Sequence, residues 1–496
     1  MKRIIFLLAF IILGLTSCDN YLDINKDPNS PSEANITPSM IFPGTEMNLA
    51  ASYGDFLRIV GGYYAQHYAQ TFGTGNYVDY SQFKMSATRS SGTYTQLYTR
   101  TLKNLETVRQ QSKAAEQWGT YLAATTLRVF TYQVLVDAYG EVPYTEAFDL
   151  NNLAPKYDDG LIIYQGILAE LDEALSKATS SNVVCTNFLF GTTTAEEWIK
   201  FAKALKLKLL MRMSNTSDVQ SKVAALIQEN DFPTSDVSYD DCWTDETGKA
   251  SPYYQEEYAS YFGSTQVNVV ANIAYMQTMR ESNDARIPKF FRTNGSGEYK
   301  GGVSGTNFST SSLYKEPYFC RPVFTYNMPV NLITVSEIEF FKAEFSALHG
   351  TSAVAESHYK AAINASFIAA GLSVSDAANI YTTSYPWNNA NYAKLIGIQK
   401  WIALGGTNNF EAWCEMRRLK FPAFGTVTGS AIYNVANDVY SPELYVAGTL
   451  YTPIQFNTDL GAGKILQRFK YAESSTSRNS NAPANKGDAI PVFWAE

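Results

Sequence analysis

Two neighbouring stretches decide the fold class: Asp159 to Ala178, DGLIIYQGILAELDEALSKA, and Ala195 to Ser214, AEEWIKFAKALKLKLLMRMS. In the first, Ile163, Ile167, Leu168, Leu171, Ala174 and Leu175 recur at three and four residues, which puts them on one side of an α-helix. Asp158 or Asp159 supplies its start signal. In the second, Thr194 stands three residues before Glu197, the spacing of a capping box, and Trp198, Phe201, Leu205 and Leu209 continue one face. Lys200, Lys203 and Lys206 share another face, read as a solvated stripe. Together the two stretches predict a helical pair.

The same period extends in both directions. Upstream, Tyr94 to Lys113 and Glu116 to Tyr139 read as a pair. Downstream, Ser336 to His349 is broken by Gly350 and resumes from Ala353 to Ala370, and a fourth pair runs Asn389 to Leu404 and Asn408 to Leu419. Ala355, Tyr359 and Ala362 follow the small-aromatic-small spacing of a tetratricopeptide second helix, where small residues let two helices approach. The reading is all-α: tetratricopeptide-like helical hairpins near 94–139, 159–214, 336–370 and 389–419, with an ordinary helical bundle as the alternative. Asp231 to Pro329 and Ala423 to Glu496 are rich in Gly, Ser, Asn, Pro and Tyr. They are expected to be long irregular insertions, where a ligand is to be sought.

Charge and motifs exclude several function classes. The net charge is −8 and no basic block follows Lys2-Arg3, so no nucleic-acid partner is expected. There is no GxSxG, HExxH, Walker or GxGxxG motif. His67, His349 and His358 are scattered, the last two on a predicted hairpin where packing or capping is expected. Cys185, Cys242, Cys320 and Cys414 are too widely spaced for a CxxC or a metal knuckle, and both thiols and disulfides remain open for them. The adjacent carboxylates Asp240-Asp241 and Glu256-Glu257 would point apart in extended segments. No catalytic residue, metal site or cofactor is therefore expected.

The positive signal is aromatic, with 34 Tyr, 28 Phe and 7 Trp. A sugar ring lays its C–H groups on an aromatic face while its hydroxyls need amide or carboxylate partners. Three clusters fit that pattern. In the first, Tyr64, His67, Tyr68 and Phe72 fall at helical spacing and read as core, whereas Tyr77 and Tyr80 follow Gly73 and Gly75 in a loop and read as exposed. The second gathers Trp243, Tyr253, Tyr254, Tyr258, Tyr261 and Phe262; the third gathers Phe308, Tyr314, Tyr318 and Phe319. The candidate ligand-binding residues are Tyr77, Tyr80, Trp243, Tyr253, Tyr254, Tyr258, Phe308 and Tyr318.

At the start of the chain, Met1-Lys2-Arg3 is basic, Ile4 to Leu15 is apolar, and Leu15-Thr16-Ser17-Cys18 ends in small residues before a cysteine. The apolar run falls short of the roughly 20 residues that span a bilayer. Residues 1–17 read as a lipoprotein signal peptide and Cys18 as the lipidated first residue of the mature protein; an ordinary secretory signal is the alternative. Residues 18–39, with Pro28, Pro31 and Pro38, read as an extended tether, and 40–496 as a single body.

In this order the segments resemble one family. Cys18-Asp19-Asn20-Tyr21-Leu22-Asp23-Ile24-Asn25, Asp137-Ala138-Tyr139-Gly140-Glu141-Val142-Pro143-Tyr144, Trp198 to Met213, Asp284-Ala285-Arg286-Ile287-Pro288, Glu337 to Glu344, Gln399-Lys400-Trp401 and Glu411 to Arg418 are similar to segments of the SusD/RagB-like nutrient-binding outer-membrane lipoproteins. Alanine replaces the proline of that family's Asp-Pro-Arg motif at Ala285. The resemblance implies an all-helical body with four tetratricopeptide-like units, anchored by lipid in the outer membrane and facing the exterior. It further implies a lid on a TonB-dependent SusC-like transporter, capturing nutrient, often glycan. Peptide capture is the rival ligand class, and a surface hydrolase a third reading. The matched motifs are scaffold, so no ligand-contacting residue or calcium ligand set carries over.

Overall fold

The structure, a computed structural model, describes residues 36–178, 181–259, 268–315 and 318–496. The signal peptide, Cys18, most of the tether, Tyr261 and Phe262 lie outside the described residues.

The first helix, α1 (Pro38–Ser52), begins inside the stretch expected to be tether. Pro38 sits in its first turn, where the missing N–H is one that no helix bonds internally and the fixed φ suits helix entry. A π turn (Tyr53–Leu57) joins α1 to α2 (Arg58–Tyr64). The expected helical stripe from Tyr64 to Phe72 is corrected here. The chain leaves the helix after Tyr64, Gln66 adopts φ 52°, and Tyr68–Gln70 is a strand, β1. Tyr64, His67 and Tyr68 are nonetheless buried. Gly61 lets α2 approach the backbone of Asn409 and Phe410 closely, since a Cβ there would lie 2.5 Å from the Phe410 backbone.

The first pair is a helix α3 (Ala87–Gln96) continued through a π turn (Leu97–Leu102) into α4 (Lys103–Ala114), against α5 (Trp118–Tyr139). Every residue of α5 from Gly119 on is buried, because α4, α6 and α7 all pack on it. Asp159 caps α6 (Gly160–Lys177), its carboxylate accepting from Leu161 N at 2.9 Å. Asp158 instead accepts from Tyr144 N and Thr145 N and fixes the turn after α5.

Helix α7 (Glu196–Met213) lacks the expected capping box: Ala195 is the N-cap. Thr194 is held in a bridge with Asn182, its hydroxyl turned to Thr192. The lysine stripe is ion-paired, Lys200 with Glu196 and Glu197, Lys203 with Glu229 and Asp231, and Lys206 with Asp172.

Helices α8 (Gln220–Glu229) and α9 (Ile273–Glu281) follow, the latter inside a stretch read as irregular. The third pair is α10 (Val335–His349), started by a Thr334–Glu337 capping box, and α11 (Ser352–Ala369), in which Ala355, Tyr359 and Ala362 are buried. His358 Nδ1 lies 2.6 Å from Glu339 Oε2, and the His349 ring packs on Phe345. The fourth pair is α12 (Tyr392–Leu404) and α13 (Asn409–Leu419). The fold is thus mostly helical, as the periodicity predicts.

Short strands fasten the insertions to this scaffold: β1 pairs antiparallel with Val269–Ala271, and Val237–Tyr239 with Val330–Ile333. Cys185, Cys242, Cys320 and Cys414 are all free. At the centre, Arg212 of α7 meets Asp137 of α5 and Glu411 and Glu415 of α13, while Lys208 meets Glu337 and Glu411. Lys400 and Arg418 close on Glu415 and Glu344. Among the described residues no helix is long and apolar enough to cross a membrane.

Candidate ligand-binding site

The loop after β1 is built by a ladder of amides. Gln70 and Asn307 each donate to the Thr74 carbonyl at 3.0 Å. The Thr74 hydroxyl donates to Asn268 Oδ1 at 3.1 Å. The Asn268 amide donates in turn to Glu257 Oε2 at 3.4 Å, and Tyr63 donates to the Asn268 carbonyl. This ladder fixes the approach to Tyr77, which takes φ 61° and opens the single helical turn Val78–Ser81.

The half-buried Tyr77 ring lies flat on Tyr80, with centroids 5.4 Å apart and planes at 16°, and meets the edge of Tyr63. Burial first, and the adjacent Glu257 next, hold the ionisation of the Tyr77 hydroxyl well above the ordinary range.

Two π turns bring carboxylates to this ring. Asp55 rides on Tyr53–Leu57, and Glu256 and Glu257 on Gln255–Ala259. π turns recur at functional sites because they push a side chain out of helical register. Glu256-Glu257, expected in extended chain, is therefore helical. Among the described residues, Asp55 Oδ1 and Glu257 Oε1 are both buried with no hydrogen-bond partner. Burial, then the neighbouring Glu256 and Glu257, pushes Asp55 up to about 8. Burial chiefly pushes Glu257 up to about 7.

These raised values set a direction. Unfolded carboxyls titrate near ~4, so between pH 4 and 8 the folded chain holds protons that the unfolded chain has released. The contribution to stability is full below that range and declines as pH rises through it. Against wild type, the Asp55→Asn/Glu257→Gln variant should gain melting temperature progressively from pH 5 to pH 8. A melting-temperature difference that stays flat with pH would contradict the burial of these groups.

The other candidates separate by exposure. Tyr80, read as exposed from its loop position, is buried, and so are the candidates Tyr253 and Phe308. Tyr80 lies under Tyr77. Tyr253 is closed between Tyr68, Phe324 and the Arg58 guanidinium. Phe308 is enclosed by Tyr314, Phe319 and Tyr433. None of the three offers a free face. Trp243 is half-buried and spends its indole N–H on the Tyr239 carbonyl. Tyr254 and Tyr258 pack together with centroids 4.8 Å apart, half-buried. Tyr318 is also half-buried, under the Lys300 ammonium. The structure joins the first cluster to the second through Glu257; the third stands with Tyr433 and Tyr440.

Sequence reading did not find Asp55, Thr74 or Asn268, which carry no motif. It also did not find a cavity of about 800 Å³ between residues 233–241, α10 and α11, lined by Asp236, Asp240 and Asp241 but by none of the eight candidates. Burial raises Asp236 to about 6, although the Val335 amide donates to it.

Comparison with known proteins gives the family. The family model that matches, over residues 28–443, is SusD-like, described as starch-binding and associating with the outer membrane. A search of curated proteins gives no match. Among solved structures, a SusD homolog from Bacteroides uniformis superposes with a TM-score of 0.71 at 20% identity, covering 91% of this chain and 98% of that one. A SusD/RagB family protein from Bacteroides thetaiotaomicron gives 0.70 at 20%, covering 93% and 99%. A chitin-binding SusD homolog from Flavobacterium johnsoniae gives 0.66 at 20%, covering 93% and 95%. At such identities the structures speak for the fold alone, while the family model covers most of the sequence: this chain belongs to the SusD-like family.

Proposed function

We propose that this protein is a surface lipoprotein that binds an oligosaccharide on the Tyr77 face and hands it to a TonB-dependent SusC-like transporter in the outer membrane. The observation that carries the ligand class is the juxtaposition at Tyr77. A flat ring backed by Tyr80 stands beside buried carboxyl oxygens of Asp55 and Glu257 that have no partner among the described residues. A sugar satisfies both halves, its C–H face covering the ring and its hydroxyls pairing with the two carboxyl groups. The chitin-binding relative supports a glycan, and the absence of a recognisable catalytic motif suits capture without turnover. Affinity electrophoresis through a glycan panel including starch and soluble chitin tests this. Retardation by at least one glycan is expected, weakened roughly tenfold, about 1.4 kcal/mol, in Tyr77→Ala. Binding confined to peptides, or release of product from a labelled oligosaccharide, would overturn it.

Lipidation at Cys18 and the transporter partnership rest on the sequence motif and on family membership. Solubilised in mild detergent at native expression, the protein should co-purify with a barrel-type transporter, and Cys18→Ala should leave the membrane fraction. Repeated recovery of the chain alone counts against the partnership.

A further inference from the structure

A second recess, sharing no lining residue with the Tyr77 site, opens beside the end of α13. It encloses about 390 Å³. Taking a water's share as ~30 Å³, that is room for a single sugar ring with some of its hydration. Leu450, Leu460 and Ile465 form apolar walls, and the half-buried Phe424 ring completes them.

The polar groups on these walls are unusual in sign. Arg417, Lys420 and Lys464 line the recess, and among the described residues no carboxylate does. Arg417 directs its guanidinium to the carbonyls of Trp413, Gln467 and Asp137, so its charge is held in place without an acid. Lys420 follows the last turn of α13 in a left-handed conformation, and its ammonium donates to the Ala495 carbonyl. Burial first, and Arg417 next, hold that ammonium below the ordinary lysine range. Lys464 is exposed. Among the described residues neither lysine has a carboxylate at ion-pair distance. Gln467 also lines the recess: its Oε1 is buried and has no hydrogen-bond donor among the described residues, its amide nitrogen being used on the Ile465 carbonyl.

A ligand that answers all of these carries an anion for the lysines, a hydroxyl for Gln467 and an apolar face for Phe424. We propose that this recess binds an anionic sugar residue, a hexuronate, with its carboxylate between Lys420 and Lys464, a ring hydroxyl donated to Gln467 Oε1 and its C–H face on Phe424. Such a site would select acidic glycans independently of the Tyr77 platform.

Saturation-transfer NMR and calorimetry on the whole mature chain test the assignment, with D-galacturonate and D-glucuronate as probes and D-galactose and D-glucose as neutral controls. At least one uronate should bind at least tenfold more tightly than its neutral counterpart, and salt should weaken it. Lys464→Gln, at an exposed position, should weaken uronate binding without change in melting temperature, and Lys420→Gln/Lys464→Gln should lose at least tenfold in affinity, while Tyr77→Ala leaves uronate binding intact. Failure of both uronates to bind, equal binding of charged and neutral sugars, or a double variant that binds like wild type would each overturn the proposal. Uronate binding abolished by Tyr77→Ala would also overturn it, by moving the ligand to the other site. The Tyr77 reading survives or falls separately, on neutral glycans.

Discussion

Arg212→Met is expected to destabilise the fold by roughly 3–5 kcal/mol, the cost of removing one partner from a buried ionic cluster and leaving its counter-charges unpaired. Arg212 is fully buried and bonds Asp137, Glu411 and Glu415 at once. Asp137 also accepts from Tyr164 and from the Trp494 indole, so its charge cannot turn to water. Burial works against Glu411 and Glu415, and the surrounding Arg212, Lys208, Lys400 and Arg418 more than offset it, holding both carboxyls below their ordinary range. Without Arg212 the cluster must protonate or open, and opening separates α5, α7 and α13 together. Urea unfolding at pH 7 measures the effect, with Lys249→Met as the control. Lys249 and Glu246 form an exposed pair, of a kind that contributes about 0–1 kcal/mol. An Arg212→Met loss no larger than that control would refute the role of the cluster. The sign with pH follows from the lowered carboxyls: their contribution is present above the ordinary carboxyl range and lost as pH falls through the folded values. The penalty of the variant should therefore shrink in acid.

Arg212 also marks the limit of what the sequence discloses. The helix that carries it is legible because its apolar residues keep a 3.6 period, and the same is true of α6, α10 and α11, whereas α5 and α13 are buried on nearly every side. The charges on these helices look alike in sequence, yet Lys206 reaches a surface aspartate while Lys208, two residues on, is fully buried. Only packing on a third helix separates them. Caps divide in the same way. Thr194 and Thr334 each precede a glutamate by three residues, but a bridge to Asn182 diverts the first, and only the second closes a box. The insertions are harder still, because their strands pair with partners far away in sequence, Val237–Tyr239 with Val330–Ile333, and no local period announces them. At the site, Tyr77 and Tyr80 have the same side chain three residues apart. The stacking that exposes one and buries the other depends on Tyr63 and the loop ladder, which no spacing rule contains.

Trp401→Ala is the second large effect, and it joins scaffold to site. Trp401 is almost wholly buried in α12, and its indole N–H donates to the Ala65 carbonyl at 2.7 Å, where α2 gives way to β1. Its ring stacks on His67, with centroids 5.4 Å apart, and meets the edge of Tyr275. His67 Nδ1 accepts from the Asn409 amide, which assigns the proton to Nε2 and makes it the donor to the Trp401 carbonyl. Burial pushes this histidine down to about 3, the one hydrogen bond opposing it only in part. The imidazole is thus neutral and serves as a wedge between α12 and α13. Truncating a buried aromatic of this size costs roughly 3–5 kcal/mol, because the lost contacts leave a cavity. Here the hole would open under the segment that runs through Tyr68 and Gln70 to Thr74 and Tyr77. Trp401→Ala should therefore both lower the unfolding midpoint and weaken glycan binding, although Trp401 touches no ligand. Trp401→Phe, which keeps most of the packing and loses the bond to Ala65, should lose about 1–3 kcal/mol and retain most of the affinity. If Trp401→Ala destabilised the fold yet bound glycan like wild type below its melting point, the loop ladder alone would hold Tyr77. Equal losses of affinity in the two variants would instead assign the positioning to the Ala65 hydrogen bond.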